Sequence, residues 1–384
     1  MPLANSFLKS PDEFENEARF PLDVYFCEKC TLVQLLDVIA PEVLFRDYIY
    51  TTGTSSTMTL HSRHYAETVA KLAGFQKEDL VVEIAGNDGT LLNCFRRYDV
   101  RTLGIEPAEN IARIAKEKGI ETITEFFNSE RAEQILESHG PARTVIANNV
   151  LAHVDDTCDF LTGCRKLCSD RGFIVVEVPY LRELLHRLEY DTVYHEHLCY
   201  FSVTTLMRLC ESAGLGVFRV DLVPVHGGSL RMYASPGSAH AKPVVEFSEQ
   251  EEQQGLRDFR TYESFAGAVQ ENRRSLRNML ETIRNKGKTI AAYGAPAKGN
   301  TLLNYCGIGP ETVSFTVDRS PLKVGMFTPG MHIPVRDTSE LLEKQPDFVL
   351  LLAWNLAEEI IEYQKEYRNR GGHFILPIPA PEVV

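Results

Sequence analysis

The sequence predicts an α/β protein, a doubly wound parallel sheet followed by a second, smaller α/β unit. Three observations predict it. Between residues 48 and 180, apolar runs of strand length alternate with helical patterns. The first run leads into a glycine-bearing turn, Ala85-Gly-Asn-Asp-Gly89, that opens a helix. From Lys288 a second alternation of the same kind begins.

Taken in order, residues 1–47 form a short segment with one Cys-x-x-Cys, Cys27 and Cys30. Residues 48–240 carry the first unit. Leu80–Ile84, Thr102–Ile105, Thr144–Ala147 and Gly172–Val178 read as buried parallel strands, because they are continuous apolar runs and not alternating ones. Ala108–Lys118 and Cys158–Ser169 read as the helices between them. Val217–Val225 and Ser229–Ser235 read as antiparallel strands joined by His226-Gly227-Gly228. Residues 241–286 hold a polar start and a Glu-, Gln-, Arg- and Leu-rich helical region. Residues 287–384 form the second unit, with strands at Thr289–Tyr293, Val313–Val317, Asp347–Leu352 and His373–Pro377 and a helix at Leu356–Arg368.

A chain of 384 residues exceeds one ordinary core, so two or three domains are expected. The net charge of −13 argues against a nucleic-acid surface, which needs clustered Lys and Arg. No apolar run is long enough to cross a bilayer, and no basic-then-apolar leader opens the chain. Nine scattered cysteines favour reduced thiols and a cytoplasmic setting. Oligomeric state stays open.

The densest chemistry lies in Tyr194-His195-Glu196-His197: a phenol, a carboxylate and two imidazoles in four residues. Imidazole titrates near neutrality and commonly moves protons in catalysis. A hydrogen-bonded structural cluster is the alternative. A cofactor signal stands apart from it. Glu83 ends the first strand, and Gly86, Asn87, Asp88 and Gly89 form the turn. Glu106 follows the second strand, where an acid accepts ribose hydroxyls. Asn148 and Asn149 end the third strand beside the same crevice. Asp88 in the turn disfavours a pyrophosphate and tolerates a sulfonium, so S-adenosylmethionine is preferred over a nicotinamide dinucleotide. In the second unit, Tyr293-Gly294-Ala-Pro-Ala-Lys298-Gly-Asn300 follows a strand and opens a helix. It reads as a diphosphate cradle or as a tight turn. Asp318 reads as a ribose-binding acid or a turn residue. His61 and His64 read as surface residues.

The chain resembles the sugar C-methyltransferases, S-adenosylmethionine enzymes acting on nucleotide-linked 4-ketosugars. The resemblance is carried by Pro2-Leu-Ala-Asn-Ser-Phe-Leu8, Cys27-Glu-Lys-Cys-Thr-Leu-Val-Gln34, Tyr48-Ile-Tyr50, Glu83-Ile-Ala-Gly-Asn-Asp-Gly89, Asn148-Asn-Val-Leu-Ala-His153, Tyr194-His-Glu-His197, His226-Gly-Gly-Ser-Leu-Arg231 and the motif from Tyr293 to Asn300. It implies a zinc-binding N-terminal lobe, a Rossmann-like class I methyltransferase domain and a Rossmann-like C-terminal domain that holds a nucleotide sugar. Such lobes use two cysteine pairs. Here only Cys27 and Cys30 are present, so residues 1–47 read as a lobe remnant in which zinc is doubtful.

The resemblance further implies that His197 is the base that removes the C3 proton of a 4-ketosugar. Glu196 and Tyr194 match positions that shape or assist that site. His153 matches a substrate-facing position, with a structural histidine as the alternative, and Tyr48 a tyrosine near sulfonium and sugar, with ordinary packing as the alternative. His195 reads as structural. His226 and Arg231 flank a hairpin turn and are candidate substrate contacts. An O- or N-methyltransferase and a nicotinamide-dependent sugar oxidoreductase are the alternative functions.

Overall fold

A computed structural model describes all residues except 47, 49, 50, 55 and 226. The central sheet has seven strands: Leu80–Ile84, Arg101–Ile105, Thr122–Ile123, Ala142–Asn148, Cys168–Pro179, Leu215–Val223 and Ser229–Pro236. Numbered one to seven along the chain, they lie in the order 3-2-1-4-5-7-6. The first five run parallel, and the seventh inserts antiparallel between the fifth and sixth. This is a Rossmann-like class I methyltransferase sheet. Apolar clusters cover both faces, which explains the continuous apolar runs. The strand order reverses between the first and fourth strands, which are parallel neighbours, and in sheets of this kind ligands bind beyond the carboxyl ends at that point.

The C-terminal unit is a six-stranded sheet built from Ile290–Tyr293, Thr316–Val317, Val335–Arg336, Phe348–Leu351, His373–Leu376 and Glu382–Val383. Its first strand pairs in parallel with the second and fourth, again a doubly wound plan.

Several boundaries differ from expectation. The helix expected to reach Ser169 ends at Leu167, because Cys168 already belongs to the fifth strand. The strand expected from Val313 spans only Thr316–Val317. The expected helix Leu356–Arg368 is three short pieces, Trp354–Leu356, Ala357–Tyr363 and Lys365–Asn369. The helical region is two helices, Lys242–Gln253 and Phe259–Asn285. The glycine between them, Gly255, has φ 82°, a left-handed conformation that stops the first helix.

Residues 1–45 interlock with both units. Strands Val24–Phe26 and Val33–Leu35 form a hairpin whose third strand, Cys199–Tyr200, comes from just after the polar motif. Toward the C-terminal unit, Leu8 bridges Phe327, and Glu17 accepts from the Gly330 amide at 2.6 Å. The motif is clamped on its far side as well. Ser202 caps the helix Val203–Ser212, and the buried Glu251 carboxylate accepts from the amides of Val203 (2.7 Å) and Thr204 (2.9 Å). A carboxylate at a helix N-terminus meets both the orphan amides and the dipole. The motif is therefore held between fixed elements.

Candidate active site

The segment Tyr194–His197 makes a tight turn, with the His197 amide donating to the Tyr194 carbonyl at 2.8 Å. The turn brings both side chains to one side. His197 Nδ1 lies 2.8 Å from the Thr192 carbonyl. A carbonyl only accepts, so the neutral ring carries its proton on Nδ1. Nε2 is then a lone pair, and the Tyr194 hydroxyl rests on it at 2.9 Å. The ring is thus fixed in one tautomer with its basic nitrogen beside a phenol. The His153 ring packs edge-on against it, 5.0 Å between centroids. Burial pulls the His153 imidazole down to about 4, so it is neutral, and its buried Nδ1 has no partner among the described residues. Phe45 covers its other side at 5.5 Å.

Glu196, inside the same turn, bonds a different set of residues from His197. Its carboxylate accepts from Asn5 Nδ2 at 2.6 Å and from the Tyr48 hydroxyl at 3.2 Å. Burial raises the carboxyl to about 7, against the opposing pull of those two donors and of Lys323. Lys323 comes from the C-terminal unit, where its ammonium donates to the Ala295 carbonyl at 2.8 Å. Three parts of the chain therefore meet at Glu196. His195 turns to the N-terminal hairpin, with Nε2 2.9 Å from the Pro21 carbonyl, which fits its structural reading.

The raised Glu196 carboxyl has a measurable consequence. The folded state holds that proton more tightly than the unfolded chain. Stability is therefore lost as pH rises from about 4.5 toward 7, by about 3 kcal/mol at most. The melting-temperature advantage of Glu196→Gln over the parent is expected to grow across that window and to level off above it. A pH-independent difference would show that the carboxyl is not held protonated.

The cofactor turn is strained in a directed way. Ala85 (φ 53°), Asn87 (φ 48°) and Gly89 (φ 73°) are left-handed. At Gly89 a Cβ would also meet Ile120 at 2.8 Å. Glu106 ties the turn to the second strand, accepting from the amides of Asn87 and Ala108, both at 2.9 Å. Tyr48 and Thr52 lie at this end of the sheet. Asn110 bonds the Tyr48 backbone on both sides, and the Thr52 amide donates to Asn87 at 2.9 Å. Buried Glu83 keeps Oε2 without a partner among the described residues, and burial holds its carboxyl well above the usual range. A crevice with a free buried acceptor, a left-handed turn and an acid after the second strand fits S-adenosylmethionine. Asn148 and Asn149 border it. Asn148 accepts from the Tyr65 hydroxyl at 2.9 Å, and Asn149 sits at φ 50°.

Asp88 does not play the part that its position suggested. Burial would raise its carboxyl, but hydrogen bonds from Lys118 and Thr90 and the Lys118 charge hold it below the usual value. Lys118 Nζ is 2.8 Å away. Its charge is met inside the protein, so it neither repels a pyrophosphate nor seeks a sulfonium.

The expected diphosphate cradle is met in part: two of its amides are taken, and the buried Lys298 Nζ has no hydrogen-bond partner among the described residues. The Gly294 amide is taken by Val317 and the Ala295 amide by Asp318, both at 2.7 Å. Asp318 also accepts from Ser320 at 2.8 Å, so it is the turn residue of its two readings. Tyr293 is a buried strand residue, 5% exposed. Asn300 Nδ2 donates to the Ala4 carbonyl at 2.7 Å, while its buried Oδ1 has no partner among the described residues. Lys298 lies over the Trp354 ring, 4.7 Å from its centroid, in the field of Glu189 and Asp191. The amides of Gly294 and Ala295 are thus occupied, while those of Ala297, Lys298 and Gly299 open the helix Ala297–Cys306 with no side-chain cap.

Arg231 is a structural cation. It is 5% exposed, donates to Glu177 at 2.7 Å, touches His61 at 3.1 Å and stacks on Tyr65 at 3.9 Å. His61, read as a surface residue, completes this buried set, 3.1 Å from Glu177. His226 lies outside the described residues.

The hairpin holding Cys27 and Cys30 offers two thiols, and the Cys30 amide approaches Cys27 Sγ at 3.5 Å. Among the described residues no set of three or more Cys, His, Asp or Glu is arranged for a metal. A structural zinc takes four ligands, so these residues do not fit one. No helix among the described residues is long and apolar enough to cross a membrane.

Sequence reasoning missed Asn5, Lys323, Asp191, Thr192 and Trp354. Asn5 lies inside the Pro2–Leu8 motif and Asp191 opens the polar segment, so their positions carried a signal. Lys323 and Trp354 carried none.

Comparison with known proteins places this geometry. Residues 59–220 match a methyltransferase domain model and residues 224–379 a C-methyltransferase C-terminal domain model. Residues 1–45 match a zinc binding domain model. The chain is 40% identical over 386 residues to the C-methyltransferase NovU of Streptomyces niveus, covering 100% of this chain and 92% of that one. Solved structures with similar folds include magnesium protoporphyrin IX methyltransferase from Synechocystis PCC 6803 with bound S-adenosylmethionine (13% identity, 46% of this chain and 80% of that one, TM-score 0.36). Another is 1,6-didemethyltoxoflavin-N1-methyltransferase from Burkholderia thailandensis (17%, 47% and 80%, TM-score 0.36). The full-length match decides between the alternatives raised by the sequence: the chain belongs to the C-methyltransferase family and is an S-adenosylmethionine-dependent enzyme that methylates carbon.

Proposed function

We propose that the substrate is a nucleotide-linked 4-keto deoxysugar and that methylation occurs at C3. The observation that carries this reading is the fixed tautomer of His197, whose basic Nε2 sits beside the Tyr194 hydroxyl. Carbon becomes a nucleophile only after losing a proton, and an adjacent ketone spreads the resulting charge onto oxygen. His197 Nε2 takes the C3 proton. The Tyr194 hydroxyl moves from Nε2 to the developing enolate oxygen. Neutral His153 walls the site and keeps a second positive charge away from the base. S-adenosylmethionine, when bound, supplies the methyl group to the carbanion. The Tyr48 hydroxyl donates to Glu196 at 3.2 Å and so ties Tyr48 to the motif that carries the base.

In this reading Glu83, the turn at 86–89 and Glu106 bind the cofactor, with Asn148 and Asn149 at its methyl-bearing end. Residues 1–47, 48–240, 241–286 and 287–384 act as clamp, catalytic domain, linker and substrate-side wall. Mass spectrometry of a panel of nucleotide ketosugars incubated with the enzyme and S-adenosylmethionine tests the substrate class. One ketosugar is expected to gain a methyl group on carbon. Methylation confined to substrates without a ketone would refute it.

A further inference from the structure

The base is oriented by the Thr192 carbonyl, so whatever fixes Thr192 fixes the base. Thr192 ends the short helix Tyr190–Thr192. Its two preceding side chains are held from the other side. The Tyr190 hydroxyl donates to Asn272 at 2.9 Å, and Asn272 in turn donates to the carbonyls of Pro377 and Pro379, both at 2.9 Å. Asp191 is fully buried and accepts from the Trp354 indole N–H at 2.7 Å. Trp354 opens a short helix just after the strand Phe348–Leu351 and packs against both apolar clusters of the C-terminal unit. Lys298 over its ring fixes the indole plane.

We propose that Trp354 is a positioning residue for catalysis. Through Asp191 it sets the Thr192 carbonyl, and so holds the His197 proton on Nδ1 and the lone pair on Nε2. The C-terminal unit then completes the base instead of serving only as a wall for substrate. A ring nitrogen's partner decides which tautomer is present, and loss of such outer partners is costly. The catalytic part of this inference rests on His197 being the base; the tautomer part does not.

The chain's sole tryptophan makes the test specific. In the parent protein the indole N–H is expected to exchange slowly with deuterium, because it is bonded to a buried carboxylate. Histidine nitrogen-15 spectra of the substrate-free enzyme are expected to show His197 as one Nδ1–H tautomer. In Trp354→Phe that signal is expected to split between tautomers. kcat is expected to fall about 10- to 100-fold, with the KM for S-adenosylmethionine within about twofold of the parent. Trp354→His, which restores a ring N–H, is expected to recover part of the rate. Parent-like tautomer and kcat in a folded Trp354→Phe overturn the proposal. So does rapid exchange of the indole N–H in the parent, which needs no variant. A correct tautomer effect in an enzyme that methylates no ketosugar would leave Trp354 as a positioning residue and refute the substrate assignment alone.

Discussion

His197→Asn is expected to lower turnover by roughly 100- to 10,000-fold, the range for removing a positioned general base. The choice of asparagine matters. Its amide N–H can still reach the Thr192 carbonyl that His197 Nδ1 now meets at 2.8 Å, so the turn keeps its anchor. What disappears is Nε2 and with it one partner of the Tyr194 hydroxyl. S-adenosylmethionine affinity is expected to stay at the parent level, because the cofactor turn at Ala85–Gly89 is held by Glu106 and Thr52 and not by this ring. Calorimetric titration with the cofactor and single-turnover methylation check the two halves. Parent-like turnover would remove His197 as the base. Lost turnover together with lost cofactor affinity would mean that the ring is structural.

Arg231→Ala is expected to be the most destabilising single change in the catalytic domain. Burial would raise the Glu177 carboxyl, yet His61 and Arg231 hold it below the usual range. Removing the guanidinium leaves a carboxylate 1% exposed with only His61 beside it. Breaking one side of a buried pair costs about 3–5 kcal/mol. It also removes the cation stacked on Tyr65 and so loosens the Tyr65 bond to Asn148 at the crevice. A fall of roughly 10 °C in melting temperature is expected for a domain of this size. Arg231→Ala together with Glu177→Gln is expected to regain part of it, since the stranded charge is gone. The read-out is calorimetry with and without S-adenosylmethionine. A variant as stable as the parent that has lost only substrate affinity would return Arg231 to the substrate-contact role that its place beside the Gly227-Gly228 turn suggested.

The two units were legible because their strands are buried on both faces. Leu80–Ile84 is read from sequence with the same ends that the structure shows, since five consecutive buried residues leave no periodicity to misplace. Thr122–Ile123, Val335–Arg336 and Glu382–Val383 were not legible. A two-residue strand is defined by its neighbour's hydrogen bonds, not by its own pattern. The third strand of the N-terminal sheet, Cys199–Tyr200, was hidden for another reason: its partners Val33 and Gln34 are far away in sequence.

At the site, residue types were legible and their partners were not. A Tyr, a Glu and two His in four residues announced chemistry. Nothing local said that Thr192 would orient His197 or that Asn5 and Tyr48 would hold Glu196. Nor did it say that the charge of Lys323, from the other unit, would act on Glu196. The errors share one cause. Asp88 and Arg231 were read as charges awaiting a ligand, and each is answered within the fold, by Lys118 and by Glu177; Lys298 is not, because its buried Nζ has no hydrogen-bond partner among the described residues. A charged side chain beside a glycine turn is as readily the turn's own support as a ligand contact.

In the proposed reaction, removal of a carbon-bound proton by His197 is the step that everything else serves. The direct measurement is hydrogen exchange at C3 of a nucleotide 4-ketosugar in heavy water, with S-adenosylhomocysteine in place of the methyl donor. The parent enzyme is expected to load deuterium at C3, and His197→Asn to load none above the spontaneous rate. Exchange by His197→Asn at the parent rate would contradict the assignment of that imidazole as the base.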